Sequence, residues 1–502
     1  MKKLITNIGR IHTREGGCHF DSILIEDELI AALGMKEDFT NELRHGVSVI
    51  DAEGHTVLPG FIDSHMHYCL SCLAGTAIDL RGCLTKSCIL ETIHKNLDSC
   101  MTYPYVYCTN FNLDYVPLEE YPTSDDLERE FPDCLISLEE CTGHMSISNK
   151  RTLAEAGVDW HDCICPLTGT FTGYVCGDPN HKLSAFFKKR TCDSVNARHL
   201  MLDYAKGLVA KGVTGLHAIT AEEDLPHIYD VIDELPFRTR VYTETFDPEL
   251  VKKHGLKQIG GCGKVCVDGD TTPYTAAMLE PYFNTDNYGT LYYSDEELNA
   301  YVRAAHENDL QIALHCVGDA ASTQVINAIE AVQKEAPKAL RHRIEHFEFA
   351  TAEMIRRVKD LDICLSVQPA FNHYWADDLY IPQVGPERAK TVDPLKRLLD
   401  AGIHVCFGSD CPVTPCDPLL AIHSALNHSV ASERLDINTA IDCQTYQSAY
   451  CGFEEDKYGS IAVGKHADLV ILERDPLTTP REEVKDIRVL ETIREGNVIY
   501  ER

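Results

Sequence analysis

The segment 57–67 reads Val-Leu-Pro-Gly-Phe-Ile-Asp-Ser-His-Met-His, an apolar run that ends in two histidines. On a strand, side chains alternate between faces, so His65 and His67 point the same way, together with Phe61 and Asp63. Two neutral imidazoles about 6 to 7 Å apart along a backbone can converge on one divalent ion. An isolated H-x-H reads as readily as a polar pair on an exposed strand face. Here three later apolar runs also end in His or Asp: Ile312-Ala313-Leu314-His315, His342-Arg343-Ile344-Glu345-His346 and Val405-Cys406-Phe407-Gly408-Ser409-Asp410. A metal centre gathered from strand ends accounts for all of them.

Such a centre needs strands that deliver their last residues to one place. Eight strand-like runs are spaced through the body of the chain, at 61–67, 212–217, 238–243, 264–269, 311–315, 341–346, 363–368 and 404–410. Amphipathic helical stretches at 294–308, 320–336, 352–361 and 390–401 lie between several of them. The alternation predicts an α/β fold, a (β/α)8 TIM barrel, whose site forms at the C-terminal ends of its strands. About 145 residues separate His67 from Gly212, far more than a crossover requires. We expect an inserted, lid-like subdomain over about 69–200, with strand-like 105–110 and 135–138, helical 123–129 and 198–211, and a Gly-rich stretch at 168–173. The ends are also β-rich, at 4–11, 20–25, 29–33 and 47–57, then at 459–472 and 489–500. They predict a small discontinuous β-sandwich domain, 1–57 with 457–502, around a barrel at 58–456.

The formal net charge of −32 repels phosphate backbones and anionic lipid, which argues against nucleic acid and membrane partners. A charged N-terminus without an apolar stretch behind it, and no apolar run of bilayer length, lead to the expectation of a cytosolic protein. The 22 cysteines then read as reduced thiols. Cys69-Leu70-Ser71-Cys72 has no second C-x-x-C at zinc-ribbon spacing and is read as structural.

The motifs resemble those of the amidohydrolase superfamily, in particular the YtcJ-like branch of amidohydrolase family 3, over nearly the whole chain. Residues 58–67 are similar to the family's P-G-x-x-D-x-H-x-H, 315–319 to H-x-x-G-D, 343–346 to R-I-E-H and 408–413 to G-S-D-x-P-V. Residues 459–470 are similar to the G-x-I-x-x-G-K-x-A-D-L-V of its small β domain. The resemblance implies metal ligands at His65, His67, His315, His346 and Asp410. It also places Lys264 where several members carry a strand-four lysine that reacts with CO2 and bridges two metals, a role requiring a neutral, buried amine. Whether one ion or two are bound is left open.

The resemblance implies hydrolysis of a C–N bond of amide type in a small molecule, with a zinc-type ion activating water. Asp410 would be the general base and acid. His144, in a stretch similar to the family's G-H-x-x-x-x-N, is the candidate for contacting substrate or stabilising an oxyanion. His217, read as the end of the second strand, and Tyr374 and Trp375, after the seventh, are candidate pocket residues. Ala218 departs from the acid often found there in the family. Asp319 and Glu345 read as supporting groups, a carboxylate commonly orienting a ligand imidazole. N-substituted formamides, N-acyl amines and cyclic amides all remain open as substrates, and so does assembly as a homodimer. Two other readings are a metal-dependent isomerase or lyase on the same barrel and a non-catalytic scaffold; the second predicts lost ligands, and none is lost.

Overall fold

The computed structural model describes residues 2–14, 19–112, 116, 120–163, 169–375 and 380–502. Eight parallel strands form one sheet: Phe61–Met66 (β1), Val213–Ala221 (β2), Arg238–Glu244 (β3), Gln258–Gly261 (β4), Gln311–Cys316 (β5), Arg343–His346 (β6), Cys364–Val367 (β7) and Val405–Phe407 (β8). Each pairs with the next in chain order. The sheet closes where β8 meets β1. The Asp410 N–H donates to the His65 carbonyl at 2.8 Å, the His67 N–H donates to the Cys411 carbonyl at 3.0 Å, and Met66 bridges Cys411 in parallel sense. The closure is tight: a Cβ on Gly408 would lie 2.6 Å from the His65 Cβ.

Two of the expected strands differ. The fourth is Gln258–Gly261, not 264–269, which instead holds a single turn, Gly263–Val265. The reason lies in its two glycines. Gly260 and Gly261 have φ +103° and +122°, and a Cβ on Gly260 would fall 2.0 Å from the Ala313 carbonyl oxygen of β5. This strand uses glycine for close approach, where a reading from composition sees a breaker. The second strand runs on to Ala221, four residues beyond its expected end.

Helices cover the outside of the barrel. Asp295–Glu307 begins at Ser294, whose hydroxyl accepts from the Glu297 N–H while the Glu297 carboxylate accepts from the Ser294 N–H, a reciprocal cap. It buries Leu298, Tyr301, Val302 and Ala305 at helical spacing, packed in one core with Ile312, Leu314 and the helix Asp319–Glu335. Ala352–Asp360 lies within its expected range. The expected helix at 390–401 is broken by Asp393, at φ +50°, and Pro394, leaving Leu395–Asp400.

The insertion contains a five-stranded sheet in chain order, Ile78–Asp79, Tyr105–Phe111, Leu135–Glu140, Met145–Ser148 and Tyr174–Cys176. The helices Ser124–Glu130 and Ala197–Val209 also lie where expected. Thr168, the first residue of the Gly-rich stretch, lies outside the described residues.

The two ends of the chain build two further sheets that share a core of Ile5, Ile23, Ile25, Val57, Leu469, Ile471 and Ile493. One of them unites Thr56–Pro59 with Leu469–Leu472, Val489–Arg494 and Asn497–Glu501. The expected run 4–11 is interrupted at Asn7 (φ +54°) and 47–57 at Glu53 and Gly54 (φ +49° and +81°). Among the described residues, no helix is long and apolar enough to cross a membrane.

Candidate metal centre

The C-terminal ends of β1, β5, β6 and β8 bring His65, His67, His315, His346 and Asp410 to one mouth. The His65 and His67 rings are 5.4 Å apart, those of His65 and His346 5.2 Å, and those of His315 and His346 4.4 Å. Asp410 Oδ1 lies 3.1 Å from Nε2 of both His65 and His67. Asp410 has φ +54° and His346 φ +70°; left-handed backbone is uncommon for such residues and concentrates at functional sites.

Three of the four imidazoles are oriented from behind. His65 Nδ1 is 2.6 Å from Glu345 Oε2, His346 Nδ1 is 2.9 Å from Gln368 Oε1, and His315 Nε2 is 3.1 Å from the Gly269 carbonyl oxygen. In all three the ring N–H donates to an oxygen, which turns the other nitrogen toward the mouth. Glu345 is itself clamped by Arg343, which donates to both of its carboxylate oxygens, at 2.5 and 2.9 Å. Burial pushes the Glu345 carboxyl up, but Arg343 and the His65 hydrogen bond outweigh it and hold the group down to about 2.

Two other carboxylates fix the loops. Asp63 accepts from the N–H groups of His65 and Ser409, tying the ends of β1 and β8. Asp268 accepts from the N–H groups of Ala277, Val317 and Gly318, fixing the loop after β5. Asp319 accepts from the Leu279 N–H at 2.7 Å, the supporting role expected of it.

The mouth opens into a cavity of about 990 Å³ whose walls include His67, Asp410, His144, Cys262, Tyr374 and Trp375. His144 arrives from the insertion, just past a turn in which Glu140 accepts from the Thr142 N–H at 2.8 Å and Gly143 takes φ +76°. Its ring lies 4.7 Å from that of His315. Burial and the neighbouring His315 push it down to about 3, so it is neutral at physiological pH. Tyr374 and Trp375 end the helix Pro369–Trp375 at the cavity wall, where the sequence places them.

Neither Lys264, which lines the cavity, nor His217 joins the cluster of candidate ligands. Lys264 stands in the turn after β4 with its side chain 43% exposed, its Nζ 3.0 Å from Glu222 Oε2. A side chain this exposed and paired with a carboxylate is not the buried amine that carbamylation requires. His217 lies within β2, short of its end, and accepts from Arg343 Nη1 at 3.0 Å. Its Nε2 faces Gly452, whose added Cβ would come within 2.7 Å of it, at the end of the barrel where Gln311, first in β5, donates to the Cys451 carbonyl. It therefore belongs to a polar layer beneath the mouth, not to the substrate cavity.

Sequence reading missed Cys262, buried directly after β4 with its Sγ 3.6 Å from His315 Nδ1. One cysteine among 22 carries no signal until the strand before it is correctly placed. Cys69 and Cys72 are buried free thiols on the helix Tyr68–Ala74.

The profile of the amidohydrolase family matches residues 48–500. The chain is 28% identical to the amidohydrolase YtcJ of Bacillus subtilis, with the whole of both chains covered. It is 23% identical to the N-substituted formamide deformylase of Arthrobacter pascens, covering 96% of this chain and 95% of that one. A crystal structure of a metal-dependent hydrolase from Pyrococcus horikoshii OT3 shares the fold, with a TM-score of 0.75 and 22% identity over 96% of this chain and 99% of that one. From the match across most of its length, the chain belongs to the amidohydrolase family.

Proposed function

We propose that the protein is a metal-dependent hydrolase that cleaves an amide-type C–N bond in a small molecule, with a zinc-type divalent ion held by His65, His67, His315, His346 and Asp410. What carries the reading is a set of orphaned buried atoms. Buried polar atoms ordinarily have hydrogen-bond partners, yet His65 Nε2, His346 Nε2 and Asp410 Oδ1 have none among the described residues. The contact of His65 with Asp410, at 3.1 Å, is short but lacks hydrogen-bond alignment. Together these three residues offer ligand atoms within 4.8 Å of one another. Neutral imidazoles and a carboxylate suit a zinc-type ion.

A bound ion of this kind polarises a carbonyl and lowers the pKa of water to about 7. Asp410, at the cavity wall, takes the proton from the attacking water and returns it to the leaving nitrogen. His144 donates an N–H to the substrate carbonyl oxygen as negative charge builds there. Tyr374 and Trp375 shield the reacting groups from bulk solvent. The Arthrobacter relative acts on N-substituted formamides by name, which favours an amide as the bond cleaved.

The test is a zinc-reconstituted enzyme screened against N-substituted formamides, N-acyl amines and cyclic amides, with released amine measured. Amine release that chelation abolishes and zinc restores is the expected result. A rearranged or eliminated product without amine would turn the assignment to an isomerase or lyase.

A further inference from the structure

The end of β4 holds a cysteine presented by its glycines. Gly261 (φ +122°) and Gly263 (φ +63°) flank Cys262, and a Cβ on Gly263 would lie 2.2 Å from Glu244 Oε2. Only a backbone free of side chains at both positions makes this turn, and it carries the Cys262 side chain to the cavity wall. The sulfur meets Nδ1 of His315, the opposite nitrogen of that ring being engaged with the Gly269 carbonyl. His144, buried and beside the same ring, completes a set of three ligand atoms mutually within 4.8 Å. His67 interacts with the same sulfur from the other side.

The separation is informative. Tetrahedral bonds of about 2.3 Å to sulfur and about 2.0 Å to nitrogen put the two ligand atoms roughly 3.6 Å apart. Cys262 Sγ and His315 Nδ1 are 3.6 Å apart. A cysteine beside histidine makes a softer donor set than histidine and carboxylate alone.

Resting on the metal-dependent reading above, we infer that Cys262 is a metal ligand of this centre, its thiolate standing at the end of β4 in the place that the sequence assigned to Lys264. It stands with His315 in a second group of ligand atoms, beside the one formed by His65, His346 and Asp410. The site then needs no CO2 to assemble. Its sulfur favours zinc and cobalt over magnesium or manganese.

The experiment is cobalt(II) loading of metal-stripped protein without bicarbonate, with cobalt counted per chain and the near-ultraviolet spectrum recorded. We expect sulfur-to-cobalt charge-transfer absorption in the wild type and in Cys266→Ser, whose sulfur lies 3.0 Å from that of Cys262. The absorption disappears in Cys262→Ser, which binds less cobalt. X-ray absorption of the zinc-loaded wild type adds a readout independent of any variant, a sulfur neighbour at about 2.3 Å. Cobalt bound without the charge-transfer band, a band unchanged in Cys262→Ser, or a zinc shell of nitrogen and oxygen only would overturn the inference and leave the metal-dependent reading standing. A wild type that retains no cobalt would overturn both.

Discussion

At the scale of single residues, the centre separates groups that bind from groups that hold. Asp410 lies between two imidazoles and at the cavity wall, so it can ligate and also move a proton. Asp410→Asn keeps a ligand oxygen but cannot accept the proton. We expect metal content near that of the wild type and turnover lower by about 10²- to 10⁴-fold, measured as steady-state amine release beside metal analysis. Glu345 touches no substrate and acts through His65. Glu345→Gln should weaken metal affinity about 10- to 100-fold, read by competition with a chromogenic chelator. An unchanged affinity would reduce Glu345 to a structural partner of Arg343.

At the scale of elements, the strands that bring the candidate ligands of the first reading together were legible and β4 was not. β1, β5, β6 and β8 are buried along their length and each leads to a candidate ligand, so an apolar stretch followed by His or Asp marks them in the sequence. β4 is Gln-Ile-Gly-Gly, hidden by the residues that let it approach β5, and the β-branched residues of Lys264-Val265-Cys266-Val267 drew the expected start six residues too far, from 258 to 264. That shift chose Lys264 over Cys262. His217 was misplaced for a related reason: β2 continues through Ala218-Ile219-Thr220-Ala221, and a histidine inside a run is indistinguishable from one at its end until the end is known. The close approach itself is testable. Gly260→Ala would press a Cβ onto the Ala313 carbonyl at a left-handed backbone position. We expect a loss of about 1 to 3 kcal/mol or more, measured by urea unfolding, with the midpoint moved and the slope retained.

At the scale of the whole molecule, buried acids set how stability follows pH. Asp393, which breaks the helix before Leu395, is pushed up to about 7, chiefly by burial. A carboxyl raised in the fold binds its proton more tightly there than in the unfolded chain. Its contribution is therefore complete below the ordinary value of 3.8 and is lost as pH rises to about 7. Asp393→Asn should flatten that part of the profile and leave the variant more stable than wild type at neutral pH, by on the order of a few kcal/mol. Chemical denaturation between pH 4 and 8 measures it, and parallel profiles for the two proteins would contradict it.

The barrel is stitched shut by the backbone of its candidate ligands: the Asp410 N–H bonds to the His65 carbonyl, and the His67 N–H to that of Cys411. The hoop and its clasp are therefore one object. An ion gripped from both sides of that join rivets the first staple of the wall to the last, so removing it loosens the hoop everywhere and not only at the mouth. An ion at a hundred times its Kd adds about 2.7 kcal/mol to the folded state. Chelation should then lower the melting temperature of the entire barrel in a single transition, followed by calorimetry, and a melt indifferent to chelator would mean that the clasp carries no load.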